Sequence, residues 1–197
     1  MPRRIRPHKN PLAVTKEIFF DGFSNSREIF VDVGAARGEF FWELLPKFPE
    51  KNFILFEIRA PLFFALQKKF ANFENVKIFD GDAGRNFENI LRKSADKIEK
   101  IFVNFPDPHF KKSHRKRRFL NKNFLEKISH WISPRTEWTL QTDQKFLFDE
   151  TIEILQNSKF SKIKFFDVSP FGILTDWEKT KINCGAKIFR ANFWKNF

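Results

Sequence analysis

The residues best placed to do chemistry lie around Asp107, which stands between Pro106 and Pro108 and is followed by a dense basic run (residues 111–118). Proline fixes its own φ and pushes the preceding residue towards extended conformations. We therefore expect the two prolines to hold Asp107 rigid and extended. Six of the eight residues in the basic run are Lys or Arg. A rigid acid beside this charge predicts a site for a polyanion that also presents a polar or cationic group, such as a nucleic acid with a base to be modified.

The overall charge supports a polyanionic partner. The 197 residues include 36 Lys or Arg and 24 Asp or Glu, which gives a net charge of +12 and favours nucleic acid. The single cysteine, Cys184, excludes an intramolecular disulfide and a cysteine-based metal cluster, and the four scattered histidines show no metal spacing. No apolar run approaches the roughly 20 residues of a membrane helix. We expect a cytoplasmic protein that binds no membrane and no metal.

The elements that must position these residues alternate along the chain. Apolar runs predict strands at 29–33, 53–56, 76–79, 100–105, 136–142, 163–168 and 187–193. Helical spacing predicts helices at 38–48, 61–71, 85–92, 121–132 and 145–156. This order predicts an α/β fold, with a mostly parallel sheet, helices on both faces and an antiparallel C-terminal edge hairpin that has no intervening helix. We expect a basic arm over 1–25 and a single domain over 26–197.

Four acids fall at the ends of successive predicted strands: Asp32, Glu57, Asp82 and Asp107. Because ligands of parallel sheets bind at the carboxyl ends of the strands, these acids predict a nucleotide-like cofactor site. Each also has a simpler interpretation on its own, such as a turn after Asp82 or a solvated pair of Glu57 with Arg59.

The segment 32–38 predicts a strand, a tight turn and a helix start, with Gly34 and Gly38 placed where backbone can approach a ligand. Its spacing resembles the D/E-x-G-x-G-x-G loop of class I S-adenosylmethionine methyltransferases, with Ala36 in place of the middle glycine. An ordinary strand-to-helix turn is the alternative.

Polar residues also follow the fifth strand and lie in a predicted late loop. Asp143 and Glu178 could accept hydrogen bonds from a guanine edge, and Trp177 could stack on a base. Helix capping by Thr142 and Asp143 and core packing of Trp177 are the alternatives.

Taken together, these motifs make the chain similar to the tRNA (guanine-N7-)-methyltransferases, which are Rossmann-like class I methyltransferases. The resemblance runs from about residue 30 to residue 193 and rests most on the segment NFPDPHFKKSHRKRRFL at 104–120. It departs at Ala36, at His109 where Trp is common, and at positions where Phe replaces Tyr. Because the chain has 29 Phe and no Tyr, we interpret it as a redesigned or reduced-alphabet member.

The resemblance implies a cofactor, a substrate and a set of site residues. The cofactor is S-adenosyl-L-methionine, and the substrate is the variable-loop guanine of tRNA, guanine 46, which is methylated at N7. We also expect a monomer or homodimer. The cofactor-binding residues are Asp32, Gly34, Gly38, Glu57, Asp82 and Asp107. The substrate-binding residues are Lys111, Asp143, Thr175, Asp176, Trp177 and Glu178.

Two roles follow from the chemistry of this reaction. Asp107 is the expected catalytic residue, because a carboxylate stabilises the positive charge that the purine gains. Five residues of the basic run are expected to bind RNA phosphates: Lys112, Arg115, Lys116, Arg117 and Arg118.

Two alternatives remain open. One is a methyltransferase for another RNA base, which the acid at position 107 disfavours because exocyclic-amine enzymes typically have N-P-P-Y/F there. The other is a non-catalytic, basic tRNA-binding module whose cofactor loop has decayed at Ala36.

Overall fold

The computed structural model describes Asn10, Leu12 and residues 16–197. Seven strands form one sheet, with bounds Ile29–Val33 (β1), Asn52–Glu57 (β2), Val76–Asp80 (β3), Ile98–Asn104 (β4), Glu137–Thr142 (β5), Lys162–Phe165 (β6) and Phe189–Trp194 (β7). Six α-helices accompany them within these described residues, with bounds Glu39–Leu44 (α1), Ala60–Lys69 (α2), Ala83–Leu91 (α3), Lys122–Ser129 (α4), Lys145–Gln156 (α5) and Asp176–Asn183 (α6).

The strand order is β3-β2-β1-β4-β5-β7-β6, and β7 runs in the opposite direction to the other six strands. Strand order reverses between β1 and β4, so the loops that follow these two strands flank the crevice where α/β sheets bind ligands. The predicted α/β fold with antiparallel C-terminal strands is confirmed. The predicted hairpin without a helix is wrong, because α6 lies between β6 and β7.

Alternating side chains of the strands build two apolar layers. Val31 of β1 joins one core with Phe87 of α3 and Leu125 of α4. Phe30 points to the opposite face and packs in a second core with Phe41 of α1. Period-two alternation sends neighbouring residues of a strand to opposite faces, so helices cover both sides of the sheet, as predicted.

The described end of the predicted N-terminal arm lies against the domain. Asn86 of α3 accepts a hydrogen bond from the backbone N–H of Ile18 at 2.8 Å and donates to the carbonyl of Lys16 at 3.1 Å. Phe20 packs on Phe79 with ring centroids 5.3 Å apart. Residues 1–9, 11 and 13–15 of the arm lie outside the described residues, and the predicted boundary at residue 25 stays a prediction.

Over the described residues, every helix is too short or too polar to cross a membrane.

Candidate functional site

Backbone strain is concentrated beside the crevice between β1 and β4. Ala36 has a φ of 52° in the loop after β1, and Phe105 and His109 have φ values of 50° and 42° in the loop after β4. These conformations disfavour residues with a Cβ atom, and such strain persists where the surrounding structure enforces it, often at functional sites. The strain therefore points to this edge of the sheet.

The loop after β1 is held by its neighbour β2. The backbone N–H of Ala36 donates to Glu57 Oε2 at 2.9 Å, and the N–H of Gly34 donates to the carbonyl of Phe56 at 2.9 Å. Gly34 has a φ of 85° and open space where a Cβ would stand, so a ligand could approach its backbone. Gly38 has another reason to be glycine, because a Cβ there would meet Leu66 at 2.6 Å. Gly38 thus serves the packing of α1 on α2, and its predicted cofactor contact stays untested.

Asp32 is the buried acid of this edge. Its side chain lies within β1, and desolvation together with the nearby charge of Glu57 raises the pKa of Asp32 to about 8. Within the described part of the chain, its Oδ1 atom has no hydrogen-bond partner. A buried acceptor without a partner carries a cost, so Asp32 is suited to a ligand that brings a cation or a donor.

Glu57 ends β2 and is buried in a dense set of hydrogen bonds. Its Oε1 accepts from the backbone N–H and from Nε of Arg59, both at 2.8 Å, and its Oε2 accepts from Nη2 of Arg59 at 2.9 Å. The pairing with Arg59 matches one sequence interpretation, although the carboxylate is buried and not solvated. A ribose hydroxyl that binds Glu57 must therefore share it with Arg59 or displace that guanidinium.

Asp82 follows β3 as the N-cap of α3. Its Oδ1 accepts from the backbone N–H of Arg85 at 2.8 Å. Burial raises the pKa of the Asp82 carboxyl, against the lowering effect of backbone hydrogen bonds from Arg85 and Gly84. The turn interpretation of Asp82 is thus present in the structure, and the predicted contact with an adenine amino group stays a prediction.

Asp107 is held in its loop by more than its flanking prolines. Its Oδ1 accepts from the backbone N–H of His109 at 3.2 Å, and its Oδ2 lies 3.8 Å from His109 Nε2. Arg118 donates from Nε to the carbonyl of Pro108 at 2.8 Å and from Nη2 to the carbonyl of His109 at 3.3 Å. The loop that carries Asp107 is therefore preorganised from both sides.

The basic run divides into exposed and buried members. Lys111, Arg115 and Lys116 are exposed, and Arg117 is partly exposed. Arg118 is buried. Its Nη1 lies 2.7 Å from Glu150 Oε1, and its Nε and Nη2 donate to the carbonyls of Pro108 and His109. We therefore correct the expectation for Arg118, whose guanidinium fixes the loop and has little surface left for a phosphate. The side chain of Lys112 lies outside the described part of the chain.

A cavity of about 490 Å³ opens between the basic run, the start of α3 and the start of α4. Its lining includes Asp82, Arg85, Lys116, Arg117 and Lys127. Arg85 and Lys127 add positive charge that the sequence pattern did not single out, because only the packing of α3 and α4 brings them to the basic run. Partial burial and the cations of Arg117 and Lys111 lower the pKa of His114, which agrees with a concentrated positive field.

Residues 175–178 begin a helix, and the sequence-based expectation of a loop there is wrong. Thr175 is the N-cap of α6, and its hydroxyl accepts from the backbone N–H of Glu178 at 3.1 Å. Asp176 is exposed, whereas Glu178 is buried. The pattern Thr-x-x-Glu is a capping-box signature, so the sequence did carry a signal for this helix.

Lys181 of α6 joins two of the predicted substrate residues. Its Nζ lies 2.7 Å from Asp143 Oδ2 and 4.7 Å from the ring centroid of Trp177. Burial acts to raise the pKa of Asp143, but the ion pair with Lys181 and the amide of Gln144 lower it overall. Trp177 is 45% exposed, so core packing does not account for it.

Glu178 lies in a buried polar network that sequence reasoning missed. Its Oε1 is 2.5 Å from Arg190 Nη2, and its Oε2 accepts from the hydroxyl of Ser169 at 3.1 Å. Arg190 also donates from Nε to Gln141 at 2.8 Å. We expected Glu178 to contact the substrate, but both of its carboxylate oxygens already have partners among buried protein groups. Its direct contact with substrate stays untested and is not favoured by this arrangement.

The chemistry of these residues fits S-adenosylmethionine. The unpartnered Oδ1 of Asp32 suits a positively charged ligand, and the open space at Gly34 admits one close to the backbone. Asp82 and Glu57 place further acceptors along the same edge. The described residues contain no cluster of three or more His, Cys, Asp or Glu side chains that could hold a metal.

Comparisons with known proteins agree with this geometry. A family model described as "Putative methyltransferase" matches residues 26–191. The chain is 30% identical to a protein named tRNA (guanine-N(7)-)-methyltransferase from Prochlorococcus marinus (strain NATL1A), over 98% of this chain and 97% of that protein. It is 28% identical to a protein of the same name from Clostridium acetobutylicum, over 84% of this chain and 81% of that protein.

The fold is also found in solved structures. One, described as "Structure of an Antibiotic Related Methyltransferase", superposes with a TM-score of 0.60 at 16% identity, covering 86% of this chain and 88% of the other. At this identity the likeness shows the fold alone.

Proposed function

This chain belongs to the tRNA (guanine-N7-)-methyltransferases, and we propose that it transfers a methyl group from S-adenosylmethionine to N7 of the variable-loop guanine of tRNA. The observation that carries the proposal is the meeting of two features at one sheet edge. Asp32, with its unpartnered Oδ1, belongs to β1. Asp107 and the basic run follow β4, which pairs directly with β1.

We assign the cofactor to the edge formed by β1, β2, β3 and β4. Asp32 would balance positive charge on the cofactor, and Gly34 would let the cofactor approach the backbone. Glu57 and Asp82 would accept hydrogen bonds from polar groups of the nucleoside. When bound, S-adenosylmethionine supplies an electrophilic methyl group on sulfur.

The methyl transfer requires the protein to position the guanine and to stabilise positive charge. Guanine N7 carries an in-plane lone pair and no proton, so no strong general base is required. The purine gains positive charge as its N7 is methylated, and a fixed carboxylate stabilises that charge more than it stabilises the neutral base. Asp107 would fill this role, because His109 and Arg118 hold its loop in place before substrate arrives.

The tRNA backbone would lie along the exposed members of the basic run. Lys111, Arg115 and Lys116 present charge beside the crevice, and Arg85 and Lys127 extend it across the adjoining cavity. Phosphate contacts of this kind fix position and orientation without reading sequence. Asp143 and Trp177, joined by Lys181, would contact the substrate from the β5 side. We further propose a cytoplasmic location, where tRNA is found, and a monomer or homodimer.

The reaction itself is the direct test. Unmodified tRNA is incubated with the protein and S-adenosylmethionine labelled in its methyl group, and N7-methylguanine is mapped by chemical cleavage of the chain. We expect one modified guanine in the variable loop. Calorimetry with S-adenosylmethionine identifies the non-catalytic alternative, since a decayed site would release no heat of binding.

Asp107→Asn tests the catalytic assignment. Loss of a preorganised electrostatic contact lowers turnover by about 100-fold or more, so we expect kcat to fall by roughly that factor with little change in cofactor affinity. Asp96→Asn is the matched control, because Asp96 is exposed in the turn before β4, at the opposite end of that strand from the crevice. Wild-type turnover in Asp107→Asn would exclude the role.

A further inference from the structure

We propose that Phe110 and Phe146 form a stacking platform for an unpaired tRNA base next to the guanine that is methylated. The proposal rests on the proposed function and adds a binding site to it. The two rings have centroids 5.5 Å apart with an interplanar angle of 41°. They belong to different elements, since Phe110 lies in the loop after β4 and Phe146 lies in the first turn of α5.

Both aromatic side chains face solvent. Phe110 is 68% exposed and Phe146 is 40% exposed. A single exposed apolar residue needs no explanation, but two rings brought together from separate elements form a patch whose burial would be favourable. Covering the pair removes apolar surface from water, so a ligand that stacks on it gains affinity.

The platform stands beside the proposed reaction centre. Phe110 is three residues after Asp107 and directly before Lys111. Phe146 follows β5, the strand that pairs with β4, so both rings lie at the carboxyl edge of neighbouring strands. A base that rests on them would be close to the crevice without entering it.

The platform is fixed before any ligand arrives. Arg118 holds the carbonyl groups of Pro108 and His109, the two residues before Phe110. The guanidinium carbon of the same Arg118 lies 5.4 Å from the ring centroid of Phe146. One buried side chain thus ties the two halves together, and Glu150 holds it at 2.7 Å. A rigid surface loses little entropy on binding.

The surroundings favour a nucleobase over other apolar partners. Lys111 is exposed directly beside Phe110, and Arg115 is exposed on the same basic run. Phe rings offer a π-face and no hydrogen-bonding group, so they bind any base by stacking while neighbouring cations hold the phosphates. Exposed bases of RNA loops are recognised in this way.

Variants of Phe110 and Phe146 test the platform in full-length protein with an unmodified tRNA transcript. Loss of base stacking weakens binding by about 1–3 kcal/mol, roughly 5- to 150-fold, so Phe110→Ala and Phe146→Ala should raise KM for tRNA at least fivefold. Because the platform would hold a neighbouring base and would not touch the reacting guanine, kcat should change less than threefold. Phe110→Trp should keep a low KM, whereas Phe110→Leu, which retains apolar area, should not.

Phe64→Ala is the matched control, because Phe64 is 63% exposed on α2, away from the basic run. It should leave KM and kcat unchanged. Unchanged KM in Phe110→Ala, or a tenfold loss of kcat with KM unaltered, would overturn the platform. If the wild-type protein does not methylate tRNA at all, the proposed function fails first, and the next measurement still tests stacking.

Binding of short single-stranded homopolymers tests stacking without methylation. Purines stack more strongly than pyrimidines, so we expect the wild-type protein to bind oligoadenylate more tightly than oligouridylate of the same length. Phe110→Ala should abolish this difference, and Phe64→Ala should keep it. If the preference persists in Phe110→Ala, the platform is excluded. A Phe110→Ala variant that changes only the oligomeric state in sedimentation would instead assign the rings to a contact between two copies.

Discussion

Asp32 is placed to bind a ligand, and its burial lowers the free energy of unfolding of the protein without that ligand. Its carboxyl lies in β1, beside Glu57 and away from water, and its pKa rises to about 8 from an ordinary 3.8. Between these two values the folded state binds a proton that the unfolded state has released. The free energy of unfolding therefore falls as pH rises from about 4 to 8, and the full cost is present above pH 8.

Asp32→Asn should remove this cost and weaken cofactor binding together. At about pH 8.5 we expect the variant, without cofactor, to melt several degrees above the wild type, because the wild-type carboxyl is then charged and buried. Near pH 4 most of the difference should disappear, because the folded carboxyl is then protonated and the unfolded carboxyl is close to its ordinary pKa of 3.8. Thermal melts over this pH range check the prediction, and a difference that is independent of pH would contradict it. Calorimetry should show weaker S-adenosylmethionine binding at pH 8.5.

Ala36 has a left-handed φ of 52°, which disfavours a residue with a Cβ atom. A left-handed φ costs an L-residue about 1–2 kcal/mol, whereas glycine loses about 0.5–1 kcal/mol through its greater freedom when unfolded. Ala36→Gly should therefore leave the free energy of unfolding unchanged or raise it by up to about 1.5 kcal/mol. Urea denaturation measures the change.

The control for Ala36→Gly is Ala65→Gly in the exposed face of α2. There the same substitution should destabilise by about 1 kcal/mol, the difference in helix propensity. Equal losses at both positions would show that Ala36 is not strained.

At the scale of elements, the sequence predicted most of the scaffold. Apolar runs located all seven strands to within a few residues, because strands of a sheet covered on both faces are continuously apolar. The helix α6 was missed because its charged residues Asp176, Lys179 and Lys181 leave little apolar periodicity. Only its capping pair, Thr175 and Glu178, carried a signal.

The site was predictable for residues fixed by strand ends and less so for their partners. Asp82 and Asp107 follow strands, so counting along the chain finds their edge. The burial of Arg118 and Glu178 depends on Glu150 and Arg190, which are distant in sequence. No local pattern distinguishes an Arg that meets solvent from one that meets a carboxylate on another helix or strand.

The ion pair between Glu178 and Arg190 should hold α6 to β7. Removal of one partner leaves a buried charge without compensation and costs about 3–5 kcal/mol. We therefore expect Arg190→Met to lower the free energy of unfolding by roughly that amount. The double variant Glu178→Gln with Arg190→Met should recover much of the loss, because both charges are gone.

Urea denaturation of the single and double variants completes this cycle, and equal stability of Arg190→Met and the double variant would contradict the coupling. Methylation by the double variant then isolates any direct role of Glu178. Near wild-type kcat and KM would mean that Glu178 acts only by holding α6.

At the scale of the whole molecule, part of the excess positive charge is gathered on the surface beside the crevice. Lys111, Arg115 and Lys116 face solvent beside the crevice, and the adjoining cavity adds Arg85 and Lys127. When binding to RNA releases counterions, the logarithm of the association constant falls linearly with the logarithm of the salt concentration. The slope is about −0.7 to −0.9 for each phosphate contact. The slope therefore reports how many phosphates are held by cations of the protein, and its change in a variant shows whether the replaced cations are among them.

Lys111→Gln with Lys116→Gln should reduce the steepness of this plot for tRNA by about 1.5, because two phosphate contacts are lost. The matched control is Lys47→Gln with Lys68→Gln, which removes the same charge from exposed positions on the α1 and α2 side. The control should shift affinity slightly and keep the slope. Filter binding or fluorescence anisotropy over a series of salt concentrations measures both. Equal slopes for the two variants would mean that the molecule attracts tRNA through net charge alone, with no phosphate held at the basic run.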